Sequence, residues 1–454
     1  MAKKTVSAPA APAPANRPPY MLIEEIRVQG YKSLVDATLH VRPLTLLAGT
    51  NSSGKSSIMQ PLLLIKQTME APYQPAGALV LNGAHVQAET AGELVSKVKL
   101  AQSDVLFSFN GTNKFPGNPN LAGKNIALST ALSYKLNDEN FAINYQNVNY
   151  NNLSKVNLTT ESWTGEFLSR AKDAEEETGQ VKRSNAFLYL EMFSADGEPK
   201  GPVRLTRLLE VTISLIMHIP GLRRPPQRSY LNTFFSDQIK GTFDLYAAGT
   251  VSQWQEQQDT EKLAKLNDYL RRLGLTDAVT AKVKNANEVE LSVSRLPAGA
   301  KGKSRKADMV NIADVGIGVS QVLPILVALI AAQEGQIVYV EQPELHLHPR
   351  AQVAMAELLA EAANRGVRVI VETHSSLLLL TVQTLIAQDR IKNTDVALHW
   401  FARDAKGATT VTHVQPDEDG AYGEWPEDFG DVELRAQDAY LTAVGERHFG
   451  KAGK

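Results

Sequence analysis

The sequence predicts an α/β fold: a mixed sheet with flanking helices, built from two separated halves with a large inserted lobe between them. Three observations carry this. Gly49-x-x-x-x-Gly54-Lys55-Ser56 lies between an apolar, strand-like run and an apolar, helix-like run. A second stretch with alternating strand and helix patterns begins far downstream, at Ile312. Between them the apolar pattern changes to period two, which marks strands with one buried face. Alternating strands and helices imply a parallel sheet covered on both faces.

Residues 1–20 read as a disordered tail, because Ala8-Pro-Ala-Ala-Pro-Ala-Pro-Ala15 offers nothing to bury. A docking segment is the alternative. Lys3 and Lys4 precede no apolar run of the signal-peptide kind. Ile23 to Gly30 alternates apolar and polar residues as a first strand does, Gly30-Tyr-Lys-Ser-Leu34 turns the chain, and Ala37 to Val41 reads as a second strand.

Leu44 to Ala48 reads as the strand that enters the glycine-rich loop, and Ser57 to Ile65 as the helix that leaves it. In this context the loop is a phosphate-binding loop. Its candidate contacts are Gly49, Asn51, Ser52, Gly54, Lys55, Ser56 and Ser57. The glycines let backbone N–H groups curl around phosphate oxygens, Lys55 reaches the terminal phosphates, and the Ser56 hydroxyl is placed to ligate Mg²⁺.

In the insertion, three alternating sets predict strands: Val105/Phe107/Phe109, Ile126/Leu128/Thr130/Leu132/Tyr134/Leu136 and Phe141/Ile143/Tyr145. Asn110-Gly111 and Asn149 to Asn152 supply turns. Asp173 to Arg183 is charged and expected to be exposed. Arg204 to Met217 and Asp259 to Leu273 have helical spacing. Lys301, Lys303, Arg305 and Lys306 form a basic loop. It is a candidate for local DNA contact, although a short charge run is ordinarily a solvated one.

In the second half, Val319 to Ala332 reads as an apolar helix starting near Ser320, with Pro324 in its first turn. Ile337 to Val340 is a short buried strand. Ala351 to Asn364 is a helix stopped by Gly366, and Val367 to Val371 is a further strand. Ligands of open α/β sheets sit at the carboxyl edge, where these strands end. Glu341 there is placed to support Mg²⁺, directly or through water. Gln342 can orient water by hydrogen bonds but cannot take its proton, and Glu344 is the nearest other carboxylate. His346 and His348 alternate with Leu345 and Leu347 as packing residues do. His374, at the end of the next strand, is positioned for the γ-phosphate. Gly316 and Gly318 precede a helix start, which makes a second anion site, with a tight turn and ordinary capping as the alternative.

Composition limits the function classes. The 454 residues are 43% hydrophobic and 21% charged, as in an ordinary globular protein, and no apolar run has the length of a membrane span. The chain has no cysteine, which excludes disulfides, thiolate metal sites and a cysteine nucleophile and fits the reducing cytoplasm. A net charge of -2 gives no global attraction to nucleic acid or anionic membrane.

The order of these motifs resembles the ABC-type ATPase head of the RecF, SMC and OLD class. The likeness covers residues 21–100 and 307–400, as the two halves of an ABC-type P-loop NTPase head. Residues 101–306 are then the inserted lobe and 401–454 a C-terminal extension. Gly30-Tyr-Lys-Ser-Leu34 is similar to a turn common in that class. Val315-Gly-Ile-Gly-Val-Ser-Gln321 resembles its signature, and Glu341-Gln-Pro-Glu-Leu-His-Leu-His-Pro349 its Walker B and D-loop. His218 to Tyr230 and Asp419 to Glu427 look like segments of stand-alone bacterial ATPases of this group.

The resemblance implies two heads sandwiching two ATP molecules with Mg²⁺, so that Gly316, Gly318 and Ser320 act in trans. It implies a Q-loop glutamine, for which Gln87 is the choice, and self-association through the ATP sites. It also implies a separate effector, a nuclease or toxin, in antiviral defence. Two departures stand out. Gln342 occupies a place where an acid is usual, and no fused Toprim nuclease or long heptad arm is legible.

Overall fold

The structure is a computed structural model. It describes residues 18–73, 75–98, 104–116, 118, 125–151, 154–165, 178–193, 198–234, 238–295, 308–423, 438–444 and 447. Most of the Pro/Ala tail, residues 173–177 of the charged stretch, the basic run Lys301 to Lys306 and Glu424 to Glu427 lie outside the described residues.

Strands β1 (Tyr20–Tyr31) and β2 (Leu34–His40) form an antiparallel hairpin, whose turn uses left-handed φ values of 72° at Gly30 and 49° at Lys32. β3 (Leu44–Gly49) and α1 (Lys55–Glu70) follow. β4 (Asp104–Lys114), β5 (Ile126–Asn137), β6 (Asn140–Tyr150), β7 (Ser154–Leu158) and β8 (Trp163–Gly165) then extend the hairpin. The result is a seven-stranded antiparallel sheet, β2-β1-β4-β5-β6-β7-β8. Val105, Phe107 and Phe109 are buried as their alternation predicts. Tyr145 is not the inward residue of its strand. The register shifts between Ile143 and Tyr145, and Gln146 and Val148 turn inward instead. The buried Gln146 amide is satisfied by Leu188, donating to its carbonyl at 2.9 Å and accepting from its N–H at 3.0 Å.

A small sheet of β9 (Thr178–Ser184), β10 (Phe187–Phe193) and β11 (Pro199–Val203) leads to α2 (Arg207–Ser214) and β12 (Met217–Ile219). β13 (Tyr230–Leu231), α3 (Ala247–Glu256), α4 (Thr260–Arg272), β14 (Val279–Asn285), β15 (Glu288–Ser294) and β16 (Met309–Asn311) follow. In α4 the predicted Asp259 start is an N-cap, accepting from the Lys262 N–H.

The second half contributes α5 (Ile317–Ala331), β17 (Ile337–Glu341), α6 (Pro349–Asn364), β18 (Arg368–Glu372), α7 (Ser376–Ala387), β19 (Val396–Arg403) and β20 (Thr409–Val414). The central sheet runs β12-β17-β18-β3-β19-β20, with every pairing parallel except β19 with β20. One face packs against α1 and the β1–β2 hairpin through Leu47, Tyr339 and Ile370. The other packs against α5, α6 and α7 through Leu46, Val340 and Val371.

Three boundaries differ from the sequence reading. β12 lies within residues 101–306 yet forms the edge of the central sheet beside β17. β19 crosses residue 400 and pairs with β3, so the core sheet continues to Val414. α5 starts at Ile317 rather than near Ser320, which puts Pro324 inside the helix. There it cannot bond the Ser320 carbonyl, a loss the helix tolerates because its packed apolar side chains hold it in place.

Candidate functional site

The loop after β3 is shaped by close packing. Gly49 has φ of 142°, and a Cβ there would lie 2.0 Å from the Phe401 carbonyl oxygen of β19. Gly54 has φ of 97°, and its added Cβ would lie 2.6 Å from Thr409 Oγ1. Both positions therefore exclude a side chain. Thr409 also ties the loop to the hairpin turn. Its hydroxyl lies 2.7 Å from both the Ser53 carbonyl and Ser33 Oγ. Asn51 and Ser52 are exposed at the loop tip, and Ser52 takes φ of 58°.

Lys55 is 3% exposed, and its ammonium donates to the carbonyls of Gly49 (3.1 Å) and Thr50 (2.7 Å). Burial pulls its pKa down, against the opposing charges of Glu372 and Glu344. It thus stands within the field of two carboxylates from two other segments, both at the carboxyl edge of the sheet.

Glu372, the last residue of β18, was missed by the sequence reading although it stands two residues before His374. The Ser56 hydroxyl stands near enough to this carboxylate to act on it. Tyr339 OH donates to it at 3.3 Å. Burial pushes its pKa up, the Ser56 hydroxyl lowers it, and the charge of Glu341 pushes it up again. Glu341 and Glu372 are register partners on neighbouring strands. Like charges so placed repel, and a divalent cation offsets that cost. The hydroxyl and two carboxylates are hard oxygen donors and fit Mg²⁺, which typically takes one or two carboxylates and completes its shell with phosphate and water. Among the described residues no group of three or more His, Asp or Glu side chains is placed to hold a metal ion by itself.

Glu341, the residue expected to support Mg²⁺ directly or through water, is already engaged by protein groups. Its Oε1 is 3.0 Å from His218 Nε2, and its Oε2 accepts from the Gly221 N–H at 3.0 Å. Burial would raise its pKa, but the His218 bond and charge and the Gly221 N–H hold it below the ordinary carboxylate value. The carboxylate is thus engaged from the β12 side, while Glu372 lies on the Ser56 side.

Gln342 takes φ of 46°, a left-handed conformation unusual for a side-chain-bearing residue at the end of a strand. Its N–H donates to the Glu372 carbonyl at 2.7 Å, and its side-chain oxygen would lie 3.4 Å from a Cβ added at Gly221. The turn brings Glu344 back to the sheet edge. Its Oε1 accepts from the His374 N–H at 2.7 Å, and its buried Oε2 has no partner among the described protein atoms. Burial pushes the Glu344 pKa up, countered by the His374 N–H, the Thr373 hydroxyl and the Arg223 charge. This is the environment of a base. His374 is half-buried near Lys55, and burial, then that ammonium, lower its pKa.

Arg223 is 8% exposed and donates to the carbonyls of Glu341 (2.6 Å) and Gln342 (3.1 Å). Burial lowers its pKa to about 10 despite Glu344, Glu341 and Asp244 nearby. Arg228, by contrast, pairs with Asp314 through its two terminal guanidinium nitrogens, at 2.6 and 3.2 Å.

Gly316 caps α5 and is exposed, as is Ile317, and Ser320 Oγ donates to the Ile317 carbonyl at 2.9 Å. Among the described residues no hydrogen bond joins this helix start to the phosphate loop of the same chain. Gln87 does not join the site. It is exposed, in a turn packed on Gln67 near the far end of α1, and a helix rises about 1.5 Å per residue away from Lys55.

Residues 21–176 match the family described as "AAA ATPase domain", and residues 247–380 match the one described as "AAA domain, putative AbiEii toxin, Type IV TA system". The first match contains β3 and the phosphate loop, and the second contains α5, β17 and β18. No curated protein matches. Three solved structures are similar. One is an SMC head bound to the C-terminal winged-helix domain of ScpA, with TM-score 0.42 and 10% identity, covering 87% of this chain and 97% of that one. Another is the SMC head domain from Thermotoga maritima, with TM-score 0.40 and 10% identity, covering 87% and 99%. The third is an SMC head with an extended coiled coil bound to the C-terminal domain of ScpA, from Pyrococcus furiosus, with TM-score 0.42 and 11% identity, covering 94% and 99%.

Proposed function

We propose that this chain is an ATP-binding and ATP-hydrolysing switch that assembles head to head through composite ATP sites and controls a separate effector. The observation that carries the hydrolytic part is Glu344, a buried carboxylate with one free oxygen at the sheet edge beside Lys55 and His374. Two AAA-type family matches support the ATPase reading.

In this reading Gly49 to Ser57 hold the phosphates through backbone N–H groups, with Lys55 leaving its loop carbonyls for the terminal phosphate. Ser56 and Glu372 would hold Mg²⁺, with Glu341 behind them, and the ion would neutralise phosphate charge. Water attacks the γ-phosphorus, the bond to the ADP oxygen breaks, and Glu344 takes the water proton. His374 faces the γ-phosphate. Gly316, Gly318 and Ser320 belong to the site of a second copy, which accounts for the exposure of this helix start. The effector, a nuclease or toxin, and the antiviral role rest on the resemblance and agree with the toxin–antitoxin wording of one family match.

The test is phosphate release by the purified chain with Mg²⁺ and with chelator, compared with Lys55→Ala. Turnover that is unchanged in Lys55→Ala defeats the reading at this site. A second reading is a nucleotide-gated scaffold with slow or no hydrolysis, favoured by Gln342 in place of an acid. ATP-dependent oligomerisation without phosphate release would establish it. A third reading is a DNA-repair or DNA-end-sensing role, whose candidate contact, the basic run Lys301 to Lys306, lies outside the described residues. DNA-stimulated hydrolysis that weakens with salt would support it.

A further inference from the structure

The turn that carries Glu344 is held by a segment from the inserted region. After β12 the chain passes Gly221 and Arg223, and both engage the end of β17. Arg223 Nη2 bonds two consecutive carbonyls, Glu341 O and Gln342 O, at the point where Gln342 takes φ of 46°. A side-chain-bearing residue holds that conformation only when its surroundings impose it.

The rest of the guanidinium is unused. Nε and Nη1 of Arg223 are buried and meet no acceptor among the described protein atoms. Glu344 Oε2 is buried and makes no hydrogen bond among the described protein atoms, although the Thr373 hydroxyl stands near the carboxylate. Glu344 is the carboxylate that acts most strongly on Arg223, so the two share one neighbourhood, yet they form no direct salt bridge. A structural arginine ordinarily places its fork on acceptors, and a buried carboxylate ordinarily accepts on both oxygens. Here donors and acceptor are both left open at the edge where Lys55 and His374 also stand.

We infer that Arg223 is a positioning residue for hydrolysis, which fixes the Gln342 turn and holds the attacking water between its free N–H groups and Glu344 Oε2. The inference rests on the ATPase reading above. Its chemistry follows from the hydrogen-bond capacity of water. One water proton goes to Glu344, one lone pair accepts from Arg223, and the other lone pair is left to attack phosphorus. The pair supplies both the orientation and the proton acceptor, of which Gln342 could give only the first.

The test is steady-state ATP hydrolysis by the full chain with Arg223→Ala and Arg223→Lys, with melting temperatures for both and for Glu344→Gln. Arg223→Ala is expected to lower kcat by about 100-fold with KM for ATP within about threefold, the signature of lost orientation rather than lost binding. Arg223→Lys keeps the charge but not the fork and is expected to recover only part of kcat. The melting shifts of Arg223→Ala and Glu344→Gln are expected to be non-additive in the double variant. Unchanged kcat in a folded Arg223→Ala protein, or a loss confined to KM, overturns the inference and leaves the ATPase reading intact. A wild-type chain that binds ATP through Lys55 but releases no phosphate defeats both. If Arg223→Ala fails to fold, Arg223→Lys decides, and full wild-type kcat in it overturns the orienting role.

Discussion

The phosphate loop and the acidic turn face each other across the same sheet edge, but they are built in opposite ways. The loop is one contiguous segment whose residues do their own work, with Phe401 and Thr409 pressing on it from outside. The acidic turn is assembled from three segments. Glu341, Gln342 and Glu344 come from the end of β17, His218, Gly221 and Arg223 from β12 and beyond, and Glu372 and His374 from β18. A contiguous site carries its chemistry in its spacing. An assembled site carries it in packing, and its base need not stand where the motif places it.

The largest expected effect tests the loop. Lys55→Ala should cut phosphate release by at least about 1,000-fold, since such reactions are accelerated chiefly by stabilising charge at the transferring phosphoryl group, while the melting temperature changes little. Gly49→Ala should instead break the fold. The added methyl meets the Phe401 carbonyl at the centre of the sheet, so melting by circular dichroism should show a drop of many degrees or loss of soluble protein. A soluble Gly49→Ala protein with an unchanged melting curve would contradict the close approach of β3 and β19.

In the acidic turn, Glu344→Gln should lower kcat by about 100-fold or more while ATP binding is kept, and Gln342→Ala should cost less than about tenfold. The reverse order would return the catalytic role to Gln342. Glu372→Gln should raise the Mg²⁺ concentration needed for half-maximal activity by about tenfold, because it removes a carboxylate charge beside Ser56. An unchanged Mg²⁺ titration would hand that role back to Glu341.

The smallest effect is a stability effect, and it sharpens the contrast. Burial holds the Glu344 pKa above its unfolded value. Between those two values the folded chain keeps a proton that the unfolded chain has released, so this group's contribution to stability falls as pH rises through that window. Above it the folded chain bears a buried charge at full cost. Glu344→Gln should therefore melt a few degrees higher than wild type at pH 8, and the gain should shrink toward acid pH. In the wild type, kcat should fall on the acid side at a pH above the ordinary glutamate range, because the base must be ionised.

Much of the fold was legible because its signals are local. The alternation at Val105, Phe107 and Phe109 marks a strand, Asp259 a helix start, and Gly366, with φ of 85°, a helix end. The misses follow a pattern. Met217 to Ile219 is too short to announce a strand, and only its pairing with β17 makes it one. Tyr145 reads as inward because a bulge, which shifts the register, leaves no mark in the alternation. Glu372 stands in plain sight beside His374, but nothing in a linear reading says that the neighbour of β3 is β18 rather than β17. Gln87 follows from analogy of order alone, and the length of α1 carries it away from the loop.

The sequence by itself pointed to a phosphate ligand and to the half of the site that would bind it, because the expected recognition is a property of one loop's backbone and needs only the glycines, Lys55 and Ser56 in the right spacing. Tertiary structure decided which carboxylates share the sheet edge with Lys55, and that an arginine from the inserted region holds the turn that carries one of them. Those are consequences of strand order and of packing, and neither is encoded at any single position of the chain.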